Sequence, residues 1–317
     1  MPKPVLLDVD TGTDDALALL YAVAHPDLDL IGVSCVAGNS GLAHVVLNTM
    51  KVLDAAGAPD LPVAAGASRP LLERGRPEGA FHGADGLGGI QLPETRRTVS
   101  QLSAVEMLRQ QILGSPDPVT LVALAPQTNL AMLLTLHPDV ADNLERIVFM
   151  GGSASTGNVT AVAEFNVWQD PEAAACTIES GIPTAMYGLD VFTRLVVDKP
   201  TADRFQEAGH PATRLAGKLL HRRGSRAAGV VQDYMGLIGD AGALVMLTNP
   251  ELFTVRPHPV RVNLSGLGRG QTIVDRRPYA QDAQALASDP WPTLDVALDL
   301  DVDGAAAAFV SAIDSYR

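Results

Sequence analysis

The chain has 317 residues, of which 47% are hydrophobic and 19% charged, and it carries a formal net charge of −13. That length and apolar share are enough to bury a large core, either as one big α/β domain or as two smaller ones. The excess of acid repels phosphate backbones and anionic membrane surfaces, which argues against nucleic-acid or membrane partners and for a small neutral or cation-tolerant substrate.

The first apolar run, Val5–Val9, reads as a buried strand, and Leu17, Leu20, Tyr21 and Ala24 recur at helical spacing, so a helix over Asp14–Ala24 follows it. Four carboxylates, Asp8, Asp10, Asp14 and Asp15, crowd the turn between the two. Such a turn is a ligand-binding position in α/β proteins. Asp14 and Asp15 suit a first helical turn because they complement its dipole, but that reason does not extend to Asp8 and Asp10. Carboxylates this close raise one another's pKa unless a cation sits between them, and oxygen-only ligands select a hard ion, Ca²⁺ or Mg²⁺. A hydrogen-bonded structural acid cluster is the alternative.

Apolar runs and helical patterns then alternate: Leu28–Val36 and Leu42–Ala56, a short Pro62–Ala65, Val99–Ile112, Val119–Ala125 and Asn129–Leu136, Ile147–Met150, Pro171–Glu179, and Thr184–Leu189. Near-continuous apolar strands separated by helices predict an α/β fold. Its expected form is an open, mostly parallel, doubly wound sheet with a Rossmann-like core and right-handed crossovers. Residues 68–97 interrupt the rhythm with Gly and Pro and are too long for an idle connection. A helical stretch over 200–222 leads into a Gly/Arg/Ala segment, 222–232, that suits a mobile flap. The tail changes character: 255–264 and 268–278 read as short antiparallel strands, and a final helix covers Ala305–Ile313. No composition shift or repeat marks a boundary, so residues 1–317 are expected to form a single domain with a small C-terminal antiparallel section. Cys35 and Cys176 read as buried and imply no disulfide framework. No secretion signal or membrane anchor is expected, which makes the cytoplasm the expected compartment.

The predicted strands end in polar or kink-prone residues. The first ends at Asp8 and Asp10, the second at Ala37-Gly38-Asn39, the fourth at Leu124 to Asn129, and the fifth at Met150-Gly151-Gly152. In an open parallel sheet these ends meet along one crevice, where such folds bind ligands. Asn158, Glu164 and Asn166 follow in a segment of no regular period and suit recognition of a polyol, although loop surface is the plainer reading of the last two.

With these residues in view, the chain resembles the nucleoside hydrolase family of the inosine-uridine-preferring type. The resemblance runs nearly end to end: DVDTGTDD over residues 8–15, a Gly-Asn at Asn39, HGADGLGG from His82, PQTNLA from Pro126, MGG from Met150, AEFN ending at Asn166 and followed by DPEAA, and GRGQTIVD from Gly268. It implies Ca²⁺-dependent hydrolysis of the N-glycosidic bond of small-molecule ribonucleosides. Asp10, Asp15, Asp240 and the backbone carbonyl of Leu124 would be the metal ligands, and Asp10 the general base on a water. Asp14 and Asn166 would meet the 2′-hydroxyl, Asp240 the 3′-hydroxyl, and Asn158, Glu164 and Met150 the 5′-hydroxyl, with Asn39 orienting the water and the base. The resemblance further implies a homodimer or homotetramer.

One position departs from the family pattern. Many members carry a histidine just before the late metal-binding aspartate, thought to protonate the leaving base, and here that place is Gly239. A general acid is worth about 10²–10⁴ in rate. His82, in the Gly-rich loop, is the candidate substitute, though a histidine there could equally shape the turn by hydrogen-bonding backbone; Tyr234 is a weaker candidate. Two other readings compete. Without the acid, the chain could be a ribose- or nucleoside-binding protein with weak or no turnover, and the strand-then-DxD layout also resembles haloacid-dehalogenase-like phosphatases, which does not account for Asp14, Asp15 or AEFN. The basic cluster of Arg214, Lys218, His221, Arg222, Arg223 and Arg226 reads as a solvated helix face, with selection of an anionic substrate as the sharper alternative. Trp168 and Trp291 read as packing residues.

Overall fold

The computed structural model describes residues 2–74, 82–222, 234–277 and 290–316. β1 (Lys3–Val9), β4 (Val119–Ala123) and β5 (Leu144–Met150) are apolar along most of their length because both of their faces are covered. Val5, Leu7, Val9, Val122, Val148 and Met150 join one core cluster, while Leu6, Leu121, Ala123, Ile147 and Phe149 join the other. This is the two-residue period of a pleated strand buried on both sides.

The remaining strands are β2 (Leu28–Cys35), β3 (Val63–Ala65), β6 (Thr184–Tyr187), β7 (Phe253–Val262), β8 (Thr272–Val274) and β9 (Thr293–Leu300). Among the described residues they form one sheet in the order β3-β2-β1-β4-β5-β6-β9-β7-β8. Every pairing from β3 through to β9 is parallel, whereas β7 runs antiparallel to β9, and β8 to β7. The expected doubly wound parallel core with an antiparallel C-terminal section is therefore present, with one difference. The tail also supplies β9, which adds to the parallel core beside β6, a pairing that no local pattern encodes.

Helices cover both faces. On one side α1 (Thr13–Ala24) packs against α2 (Leu42–Ala55), α9 (Pro211–Arg222), α10 (Ala241–Thr248) and α11 (Val302–Asp314); on the other α4 (Thr128–Leu136) packs against α3 (Ala104–Gly114) and α6 (Pro171–Ile178). Strand order reverses between β1 and β4, so the chain leaves these two strands in opposite directions, and a crevice opens at their carboxyl ends.

Two helix boundaries differ from the sequence expectation. The stretch 200–222 is two helices, α8 (Lys199–Gln206) and α9, because Gly209 interrupts it and Pro211, lacking an N–H, fits the first position of a helix but not its interior. The segment Val99–Ile112 becomes helical only at Ala104, where the Ser103 hydroxyl accepts from the Glu106 N–H at 3.3 Å. The expected flap lies outside the described residues from 223 onward, as do Arg223 and Arg226. Of the rest of the basic cluster, Arg214 donates to the Ala208 and Gly209 carbonyls, which suits a helix face rather than an anion site. Trp291 lies under the Arg261 guanidinium at 5.6 Å and Trp168 beside Phe165, both as packing. Cys35 is buried as expected, whereas Cys176 is only half-buried. No helix among the described residues is long and apolar enough to cross a membrane.

Candidate active site

The acid turn is built by α1 reaching back to β1. Asp15, at the third helical position, accepts from the Gly12 N–H at 2.9 Å through Oδ2 and from the Asp10 N–H at 3.2 Å through Oδ1, the reciprocal half of a capping box. That closes the turn tightly. Asp10, one residue past β1, accepts through Oδ2 from the Asn39 N–H at 2.6 Å and through Oδ1 from Asn39 Nδ2 at 3.0 Å. Asn39 Nδ2 also lies 3.4 Å from Asp15 Oδ2, so one amide spans both carboxylates. Gly38 is required beside them, because a Cβ there would overlap Asp10 Oδ2.

Asp240 arrives from far along the chain as the residue that opens α10. With Asp14 and Asp15 it forms a buried set in which each residue presents a carboxylate oxygen within 4.8 Å of the others. Asp10 adjoins this set while its own carboxylate is turned to Asn39. Burial, then the neighbouring Asp15, holds Asp10 well above the usual carboxylate range; burial, then Asp14, lifts Asp15 to about 7. Neither Asp10 nor Asp15 has an ion pair among the described residues. Carboxyls in this state favour a bound cation, and their donor atoms are all oxygen.

The sugar-facing candidates converge on the same crevice. Asn166 donates through Nδ2 to the Leu124 carbonyl at 2.9 Å and the Met150 carbonyl at 3.2 Å, joining the ends of β4 and β5. Glu164 caps the short helix α5 (Phe165–Gln169) and accepts from the N–H groups of Asn166, Gly152 and Val167 at 2.9, 3.0 and 3.2 Å. Its burial outweighs these bonds and lifts its carboxyl to about 7. Asn158 differs from the others: its side chain is exposed, on a turn held by the Asn158 N–H to the Ala163 carbonyl.

His82 is buried against the acid turn. Its Nδ1 lies 3.1 Å from both the N–H and the hydroxyl of Thr13 and 3.7 Å from Asp14 Oδ1. Because a backbone N–H can only donate, Nδ1 accepts and the proton of the neutral ring sits on Nε2. The Asp14 contact is therefore proximity rather than an ion pair. Tyr234 directs its hydroxyl away, donating to the Val197 carbonyl at 2.8 Å, and burial raises its pKa. Gly239 takes a φ of +62°, a left-handed conformation that a side chain resists.

Several residues without an assigned role brace the crevice. Asn129 Oδ1 accepts from the Ala67 N–H at 2.9 Å, while its Nδ2 donates to Asp8 Oδ1 at 2.8 Å and the Cys35 carbonyl at 3.1 Å. One side chain thus ties together β1, β2 and the segment after β3. Asp8, raised to about 7 by burial, also accepts from Ser34 at 2.5 Å, which makes it a brace rather than a candidate ligand. Asp170 pins Thr128 at 2.6 Å and the Leu71 N–H at 2.9 Å. Asp170 also caps α6 locally, accepting from the Ala173 N–H at 3.2 Å, whereas Thr128 and Leu71 are long-range partners. A cavity of about 670 Å³ between residues 65–71, α3 and α4 is not this site, since none of Asp10, Asp14, Asp15 and Asp240 lines it.

The chain is similar to known proteins along nearly its whole length. The family model described as inosine-uridine preferring nucleoside hydrolase matches residues 5–307. Curated relatives include a pyrimidine-specific ribonucleoside hydrolase, RihA, of Citrobacter koseri, 38% identical over 277 residues that cover 87% of this chain and 89% of that protein. The protein of the same name from Escherichia coli is 37% identical over 286 residues, with the same coverage. Among solved structures, a plant nucleoside hydrolase, the PpNRh1 enzyme, superposes with a TM-score of 0.89 at 27% identity over 99% of both chains. A purine-preferring ribonucleoside hydrolase from Gardnerella vaginalis gives 0.86 at 28% identity, also over 99% of both. With the family model spanning almost the whole chain and the acid crevice at the switch point, this protein belongs to the inosine-uridine preferring nucleoside hydrolase family and is a ribonucleoside N-glycosidase.

Proposed function

We propose that Asp10 is the general base of Ca²⁺-dependent ribonucleoside hydrolysis. The observation that carries this reading is the buried Asp10 carboxylate, held by two donors of Asn39 beside the Asp14, Asp15 and Asp240 set. Asp10, Asp15, Asp240 and the Leu124 carbonyl would hold the ion; two of them, Asp15 and Asp240, lie with Asp14 in the buried set of carboxylate oxygens, which fits a hard divalent cation. When bound, Ca²⁺ supplies a Lewis acid that favours ionisation of water and orientation of a vicinal diol.

The protein groups do the rest. Asp10 takes the proton of the attacking water as its oxygen bonds to C1′ and the C1′–N bond breaks, the bonding pair leaving with the base. Asn39 fixes the direction of the Asp10 carboxylate. Asp14 and Asn166 bind the 2′-hydroxyl and Asp240 the 3′-hydroxyl. Glu164 and Met150 meet the 5′-hydroxyl, with the exposed Asn158 covering it from the solvent side. Glycosidic cleavage develops positive charge on the sugar, and the surrounding carboxylates stabilise it. His82 Nε2, which carries the proton of the neutral ring, is proposed to donate a hydrogen bond to the departing base in place of the histidine that Gly239 replaces, stabilising the charge left by the bonding pair, while the proton that the base finally takes comes from water.

Family membership supports hydrolysis over the phosphatase and binding-protein readings. A cytoplasmic enzyme is proposed on its two free cysteines. A homodimer or homotetramer is proposed on the family resemblance. Incubation with uridine, cytidine, inosine and guanosine, followed by measurement of free base and reducing sugar, tests the central reading. Equal amounts of both products, lost on chelation and restored by Ca²⁺, are expected; product formation that survives exhaustive chelation refutes the metal assignment.

A further inference from the structure

The antiparallel section at the end of the chain reaches back to the crevice through one side chain. Thr272 of β8 is buried, and its hydroxyl makes two bonds to one residue: it accepts from the Ser153 N–H at 2.8 Å and donates to the Ser153 carbonyl at 2.7 Å. The bonded residue follows the Gly151-Gly152 pair at the end of β5. Gly152 takes a φ of +67°, and a Cβ there would lie 2.6 Å from Thr272 Cγ2. The Thr272 methyl therefore rests against the Gly152 backbone while its hydroxyl grips the next residue. From the other side, Asp190 Oδ2 accepts from the Ala154 N–H at 2.7 Å and from the Ser153 hydroxyl at 3.2 Å. The loop is clamped between β8 and α7 (Leu189–Phe192).

That loop carries the Gly152 N–H, which donates to Glu164 Oε2 at 3.0 Å. The same hairpin also braces the other end of Glu164. Gly270, at φ +86°, packs so closely on α5 that a Cβ would lie 2.9 Å from Trp168 Cα, and Arg269 donates to both oxygens of Glu172 at 2.7 and 2.9 Å. The Glu164 carboxylate is thus aimed by a loop and a helix that the C-terminal hairpin holds together.

We propose that Thr272 is a positioning residue for the 5′-hydroxyl subsite, acting through Ser153 and Gly152 on Glu164. This rests on the assignment of Glu164 to the 5′-hydroxyl made above. The antiparallel section then sets how strongly the enzyme requires a 5′-hydroxyl, without touching substrate itself. A hydroxyl is needed because the group must donate and accept at once; serine keeps that ability and valine does not.

The test compares kcat/KM for a ribonucleoside and its 5′-deoxy analogue in wild type, Thr272→Val and Thr272→Ser. Loss of a hydrogen bond to a charged group predicts that wild type prefers the 5′-hydroxyl substrate by about 10- to 100-fold. Thr272→Val is expected to bring that preference to within about threefold while leaving the 5′-deoxy substrate nearly unchanged, and Thr272→Ser to restore the wild-type ratio. General damage to the fold would slow both substrates alike. A wild type that does not discriminate overturns the Glu164 assignment, and this inference with it. A discriminating wild type whose preference survives in Thr272→Val overturns this inference alone. Should Thr272→Val not fold, Asp190→Ala, which releases the loop from its opposite side, carries the same comparison and the same refuting result.

Discussion

Replacing Asp10 with asparagine separates the base from the fold. Both Asp10 oxygens are occupied by donors of Asn39, the backbone N–H at 2.6 Å and Nδ2 at 3.0 Å. An asparagine offers one acceptor and one donor, so its oxygen must keep the immovable backbone N–H while its nitrogen faces Nδ2. The Asn39 amide then flips to accept, giving up its 3.4 Å approach to Asp15. Rearranging a buried donor in this way costs about 1–3 kcal/mol. Removing one charge from a crowded, buried pair offsets part of it, because burial and the neighbouring Asp15 already hold Asp10 above its usual range. The melting temperature in chelator is therefore expected to move little. Catalysis is expected to fall by about 10²–10⁴, or about 3–5 kcal/mol of transition-state stabilisation, because the proton acceptor is gone. Reducing-sugar release at saturating ribonucleoside gives kcat, and a Ca²⁺ titration confirms that the variant is loaded. A kcat within tenfold of wild type would refute Asp10 as the base.

Three further outcomes follow from the same geometry. In chelator, stability should decline as pH rises from about 4 to about 7, because Asp8, Asp15 and Glu164, each lifted to about 7, keep protons that the unfolded chain releases near its ordinary carboxyl values; a fixed Ca²⁺ concentration, about 100 times its Kd at pH 7.5, should then add about 5 °C or more at that pH and less at pH 5, where protons compete for the carboxylates. A pH-independent melting temperature in chelator would contradict the burial argument. 2′-Deoxyribonucleosides should lose up to roughly 10⁴ in kcat/KM, since Asp14 and Asn166 would face a missing hydroxyl; equal values for the ribo and deoxy forms would show that the pocket is misassigned. Finally, with Gly239 in place of an acid, a riboside with an activated aryl leaving group should be cleaved well ahead of uridine or inosine. His82→Ala should slow the nucleosides selectively, and parity between activated and natural substrates in wild type would end the case for a weakened acid. Gly239→His is a poor rescue, because φ is +62° at that position.

The sequence by itself determined the sheet core and one half of the site. Strands such as β1 and β5 are legible because burial on both faces demands unbroken apolar runs, and the turn from Asp10 to Asp15 is legible because its acids are crowded beyond what the dipole of the following helix accounts for. The break between α8 and α9 was also written in the chain, at Gly209 and Pro211, although helical periodicity on either side obscured it. Asp240 lies 225 residues beyond Asp15 in the chain and could be joined to it only through family resemblance; folding brings the two carboxylates within 4.8 Å. The Asn129 brace, the pairing of β9 with β6, and the grip of Thr272 on Ser153 left no local trace at all. Periodicity and turn chemistry are set by neighbours a few residues apart, whereas these contacts join segments that meet only when the sheet order is fixed. Tertiary structure alone decided which carboxylates come together and which backbone groups aim them.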